Sequence, residues 1–193
     1  MSAADARLTE QQPMPGDVLD DFRDVSGWSV ITSGEAQLLL RGNSGRGSGA
    51  LHLDYDFKGG RGFVVARKPF LRRLPESWAI EMQIRGAAPA NRLEIKLADP
   101  TGRNVWWWYR DGFQFPDSWH PLRIRSSEVS FAWGPAGGGA MRELGAIEIA
   151  IAAGPGGHGS VSFADFRLED RSLPEPPRVQ AWGTAPRHEA SHG

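Results

Sequence analysis

Strict alternation of apolar and charged side chains constrains this chain more than any other feature. In residues 50–57, Leu51, Leu53, Tyr55 and Phe57 fall on one side, with His52, Asp54 and Asp56 on the other. In 78–85, Trp78, Ile80, Met82 and Ile84 oppose Glu81, Gln83 and Arg85; in 92–98, Leu93, Ile95 and Leu97 oppose Glu94 and Lys96. Side chains alternate across a strand but wind around a helix, so period two with one polar face denotes antiparallel strands covering a core. Similar short runs, bounded by turn residues, predict strands over 19–22, 28–32, 36–41, 50–57, 63–68, 78–85, 92–98, 104–110, 119–125, 129–133, 146–152 and 160–168. No segment offers a helical stripe. The 24 glycines and 14 prolines agree, because both penalise helix interiors and both build turns. The expected fold is all-β: an antiparallel β-sandwich of jelly-roll type.

With 193 residues there is room for one well-buried domain. Residues 1–16 read as a flexible polar lead, 17–170 as the folded domain, and 171–193 as a proline-rich linker or tail in which Trp182 stands out. The first residues show no basic start followed by an apolar run, so no signal peptide is visible. The chain reads as intracellular, or as a piece of a longer extracellular or periplasmic protein. No stretch reaches the length of a membrane span, and a net charge of -1 gives no footprint for nucleic acid or an anionic membrane. The lack of cysteine removes disulfides, thiolate metal sites and cysteine nucleophiles.

Residues 103–110, RNVWWWYR, carry the functional expectation. Along a strand Trp107 and Tyr109 point one way, while Trp106, Trp108 and Arg110 point the other. A one-sided core needs only one set, and the expectation is that Trp106, Trp108 and Arg110 stand outward. If strands 78–85, 92–98 and 104–110 are neighbours, Glu81, Gln83, Arg85, Glu94 and Lys96 share that surface, joined by Arg123 and Arg125 of strand 119–125. Aromatic plates beside forked donors and carboxylates suit a polyhydroxylated ligand, neutral or acidic. The competing reading packs Trp106 and Trp108 under a loop such as 134–140, leaving the charges only to solvate the sheet. A bulge would instead swap Trp107 outward.

Catalytic patterns are weak. No G-x-S-x-G, H-E-x-x-H or phosphate loop occurs, and the glycine-rich 134–139 and 154–159 precede no helix. His52, Asp54 and Asp56 read as a solvated polar face rather than a metal site, and a Glu81–Glu94 carboxylate pair is a common accident of polar sheets. The expectation is no enzyme.

The order of landmarks adds a resemblance. LDDF at 19–22, GWSV at 27–30, GSGALHLDYDF at 47–57, AIEMQIRG at 79–86, LEIKLADPTGRNVWWW at 93–108, FPDSWHPLRIR at 115–125 and GAIEIAIAAGPGGHGSVSFADFRLED at 145–170 follow one another. This resembles the galactose-binding-like β-sandwich superfamily, and within it the carbohydrate-binding modules of the family-eleven and CIA30 type. The resemblance implies a non-catalytic, lectin-like accessory module that binds a poly- or oligosaccharide and is covalently linked to a neighbouring domain of a polysaccharide-active protein. Its rivals are a CIA30-type assembly domain that meets another protein, and an accessory jelly roll with its own hydrolase or lyase site. It also implies a structural calcium near the chain ends, for which Asp20, Asp21 and Asp165 remain as ligands. Arg23 and Ala164, however, stand where the pattern is usually acidic. The alternative is that these aspartates cap turns.

Overall fold

The computed structural model describes residues 16–43 and 49–172. The polar lead 1–15 and the tail beyond Ser172, Trp182 included, lie outside the described residues. Twelve strands form two antiparallel sheets of six. The first runs β3 (Gln37–Asn43), β4 (Ala50–Asp56), β12 (His158–Asp170), β6 (Trp78–Ala87) and β9 (His120–Arg125), with β1 (Asp17–Asp20) also on β12. The second runs β10 (Ser130–Trp133), β8 (Val105–Phe113), β7 (Asn91–Ala98), β11 (Glu143–Ala152), β5 (Phe63–Arg73) and β2 (Ser29–Thr32).

Every predicted strand has a counterpart, though the first is Asp17–Asp20 rather than 19–22, with Phe22 beyond it at φ 54°, and β5 runs on to Arg73. Their apolar faces meet between the sheets: Leu51, Leu53, Ile80, Met82 and Ile84 pack against Leu93, Ile95, Leu97, Ile147, Ile149 and Ile151. The antiparallel sandwich expected from alternation is therefore the fold. Irregularities occur where strands change partners. β12 leaves β4 after Ala164 and takes up β1 from Phe166, and the residue between, Asp165, sits at φ 52°. Asparagine and aspartate tolerate this left-handed conformation better than most residues. In β11 the bulge falls at Gly145, where a Cβ would lie 2.4 Å from the Asp99 carbonyl oxygen.

Two positional expectations are overturned. β6 and β7 follow each other in sequence but belong to opposite sheets, because residues 88–90 carry the chain across the sandwich. Glu81, Gln83, Arg85, Arg123 and Arg125 therefore face outward from the first sheet, and Glu94 and Lys96 from the second. Trp106 and Trp108 are not outward: both lie in the core, 7% and 6% exposed.

Candidate functional site: the aromatic face of the second sheet

The orientation of the WWW run is decided by the β7–β8 turn. Asp99 Oδ2 accepts a hydrogen bond from Asn104 Nδ2 at 2.7 Å, Oδ1 accepts one from Thr101 Oγ1 at 2.7 Å, and Gly102 closes the turn at φ 70°. Burial pushes the Asp99 carboxyl upward, but the hydrogen bonds from Asn104 and Thr101 outweigh it and hold the pKa below 3.8. The closed turn sets Ala98 opposite Val105, and hence Leu97 opposite Trp106, Lys96 opposite Trp107, Ile95 opposite Trp108 and Glu94 opposite Tyr109. Cross-strand partners share a face. Because Ile95 and Leu97 point into the core, Trp108 and Trp106 must follow.

Inside, Trp106 donates its Nε1–H to the Gly139 carbonyl oxygen at 2.8 Å and meets Phe131 edge-on at 5.2 Å. The competing reading, a tryptophan under the 134–140 loop, describes Trp106. Trp108 is buried with no hydrogen-bond partner for its Nε1 among the described residues. Arg110 shares the inner side of β8 at the mouth of the sandwich, 5.2 Å over Trp108 and 4.0 Å from Glu128.

Outside, Trp107 forms the centre of an aromatic cluster, so Trp107 and Tyr109 are the outward set on β8 in place of Trp106 and Trp108. The Trp107 ring centroid is 4.8 Å from Tyr109 and 6.0 Å from Trp133, the planes tilted by 55° and 77°. Tyr109 and Trp133 remain 39% and 49% exposed. The Arg92 guanidinium lies 3.9 Å over Tyr109, and the Lys96 ammonium 5.7 Å over Trp133. Between them Glu94, almost buried, contacts Arg92 Nε at 3.0 Å and Lys96 Nζ at 3.1 Å. Arg92 Nε makes no hydrogen bond among the described residues, so this contact is an ion pair only. On β11 and β5, Glu148 and Arg67 pair at 3.3 Å. The outward positions of β11 are otherwise Ala146, Ala150 and Ala152. The small residues of the middle strand are enclosed, Ala146 and Ala150 being 1% and 0% exposed, so the accessible part of this face is made by the aromatics of β8 and β10 and the charged side chains beside them.

Of the residues expected on this surface, the structure brings only Glu94 and Lys96 to it. Arg92, Trp107, Tyr109, Trp133 and Glu148 were missed. The signal available was the parity of the turn: once Ala98 faces Val105, every face assignment on β8 follows from β7. On the opposite sheet Arg123 pairs with Glu169 and lies 4.0 Å from Glu81, while Arg85 stacks over Trp119.

The aspartates expected to hold calcium do not fit one. Asp20 Oδ2 lies 2.7 Å from the Lys68 ammonium and accepts the Trp28 Nε1–H at 2.9 Å, while Oδ1 accepts the Phe22 amide at 2.7 Å. A dication cannot share an oxygen already facing a lysine ammonium without strong repulsion. Asp21 pairs with Arg23, and Asp165 with Arg167. Among the described residues no group of three acidic, histidine or cysteine side chains is placed to hold a metal.

No family model matches the chain, and no curated protein matches it. Solved structures do. A family 11 carbohydrate-binding module from Clostridium thermocellum, in complex with a β-1,3-1,4-mixed-linked tetrasaccharide, superposes with a TM-score of 0.66 at 16% identity, over 81% of this chain and 96% of that one. The family 11 module of the cellulosomal cellulase Lic26A-Cel5E of the same organism gives 0.62 at 18% identity, over 80% and 94%. An exo-β-agarase gives 0.56 at 12% identity, over 83% of this chain but 26% of that one. At these identities the likeness is one of fold: a β-sandwich of the kind found in carbohydrate-binding modules.

Proposed function

We propose that the chain is a non-catalytic carbohydrate-binding module whose ligand lies on the outer face of the second sheet, stacked on Trp107, Tyr109 and Trp133. The observation that carries this reading is the exposed aromatic cluster beside the Arg92–Glu94–Lys96 network. Indole and phenol rings offer apolar faces to the C–H side of a pyranose, while charged groups alongside read its hydroxyls. The rings are mutually tilted, so they match a single, twisted glycan chain better than a flat crystalline surface. The fold likeness to modules solved with or named for carbohydrate supports the same class. The agarase match, confined to a quarter of that chain, supports a module appended to a larger polysaccharide-active protein. No constellation of nucleophile, base and orienting group accompanies the cluster, which favours binding over chemistry.

The test is affinity electrophoresis or a glycan array with the Trp107→Ala and Trp133→Ala variants. Retention on the glycan that the parent chain binds should fall by at least about tenfold, the loss of roughly 1.4 kcal/mol, with the melting temperature little changed. Retention unchanged in both variants would move the site elsewhere. Recovery of a protein partner with no glycan bound would favour the assembly-domain reading instead.

A further inference from the structure

The outer face of the first sheet carries a second polar arrangement, independent of the aromatic cluster on the second. Across β3, β4, β12 and β6 the register aligns Arg41, His52, Ser162 and Arg85 in one row. Two residues along each strand, Leu39, Asp54, Ser160 and Ala87 form the next row. With strands about 4.8 Å apart, each row spans about 14 Å. The second row borders a hollow of about 920 Å³, flanked by Asp56, Lys58 and His158.

The carboxylates in the hollow already have cations. Asp54 accepts hydrogen bonds from Arg41 Nε at 2.7 Å and Ser160 Oγ at 2.6 Å, and Asp56 lies 3.0 Å from the Lys58 ammonium. Arg85 differs. Its guanidinium lies 4.5 Å over the Trp119 ring, and no carboxylate among the described residues pairs with it. The stacking holds a planar fork on the β9 side of β6, on the exposed outer face, and such a fork matches a carboxylate. Leu39, 59% exposed, offers an apolar contact at the far edge of the hollow.

We propose that this face binds a uronate-bearing saccharide, the sugar carboxylate pairing with Arg85 over Trp119 and the ring hydroxyls meeting Asp54 and Ser160 in the hollow. The site shares no residue with the aromatic cluster on the second sheet and stands or falls separately from it.

His52 reports on the site. Its Nδ1 lies 2.6 Å from Ser162 Oγ. Burial, followed by the positive charges of Arg41 and Arg85, holds its pKa below 6.5, against an opposing pull from Asp54. A carboxylate on Arg85 cancels part of that repulsion, so binding raises the His52 pKa and strengthens as the pH falls. The experiment follows the His52 imidazole and Trp119 indole signals by NMR while the full chain is titrated with trigalacturonate. A rise in the His52 pKa and a shift at Trp119 are expected, both abolished in Arg85→Gln at unchanged melting temperature and both retained in Trp107→Ala. The proposal is overturned by signals unmoved at millimolar trigalacturonate or by an undiminished response in Arg85→Gln. An equal response to inorganic sulfate or to neutral maltotriose also overturns it, because neither would need both the acid and the sugar.

Discussion

Positions 107 and 108 are adjacent in sequence and opposite in role, which lets binding and folding be separated by single substitutions. Trp108 fills the core against Ile95, so Trp108→Ala should cost about 3–5 kcal/mol of stability through lost contacts and a residual cavity. Its indole N–H has no partner among the described residues, and an unpaired buried donor costs about 1–3 kcal/mol. Trp108→Phe, which removes that donor and keeps most of the apolar volume, should therefore fall well short of the alanine variant in destabilisation. Urea denaturation of the two variants checks this, and equal losses would show that the N–H burdens nothing. The residues themselves were legible in the sequence: an aromatic run this dense in a strand had to supply one buried set and one surplus set. Which set was surplus was not legible, because alternation fixes only that neighbours oppose each other.

The missing information lies in the turn between β7 and β8. Asp99 accepts bonds from Thr101, Asn104 and the Asn104 amide, and this closes a connection that sets the register of the whole ladder. Asp99→Ala should destabilise the domain by about 1–3 kcal/mol, the cost of leaving such partners unsatisfied, and should weaken glycan retention because Trp107 and Tyr109 ride on β8. The sign of the pH dependence follows from the depressed pKa. The Asp99 contribution is present above 3.8 and is lost as the pH falls through the lower, folded value. Acid unfolding of Asp99→Asn should accordingly show less of this loss than the parent chain, and an identical acid limb would sink the assignment. Element existence was readable throughout from period two, since each strand announces itself within its own few residues. Element adjacency was not: β6 and β7 are sequence neighbours, and only the crossover at 88–90 shows that their polar faces look in opposite directions.

For the molecule as a whole, the contact that most depends on global geometry is the half-buried pair of Lys68 and Asp20. It joins β5 of one sheet to β1 of the other across 48 positions of sequence, with Asp20 6% exposed. Removing Lys68 leaves the buried Asp20 carboxylate without its cation, so Lys68→Met should cost about 1–3 kcal/mol, and Asp20→Asn should cost less because the Lys68 ammonium it leaves behind is reached by water. Because a protein ammonium occupies the carboxylate, a chelator should leave the melting temperature of the parent chain unchanged; a drop on adding EDTA would restore the calcium expectation.

By itself, the sequence determined the strand positions, the all-β class and the apolar faces that form the core, because alternation and turn chemistry are local properties of consecutive residues. It supplied an order of landmarks that pointed to a carbohydrate-module sandwich, and the fold agrees. Only the tertiary structure decided which indoles the solvent sees, which charges share a surface, and that Lys68 answers Asp20. Those depend on pairings between distant strands, and one residue of register exchanges the two faces of a strand completely.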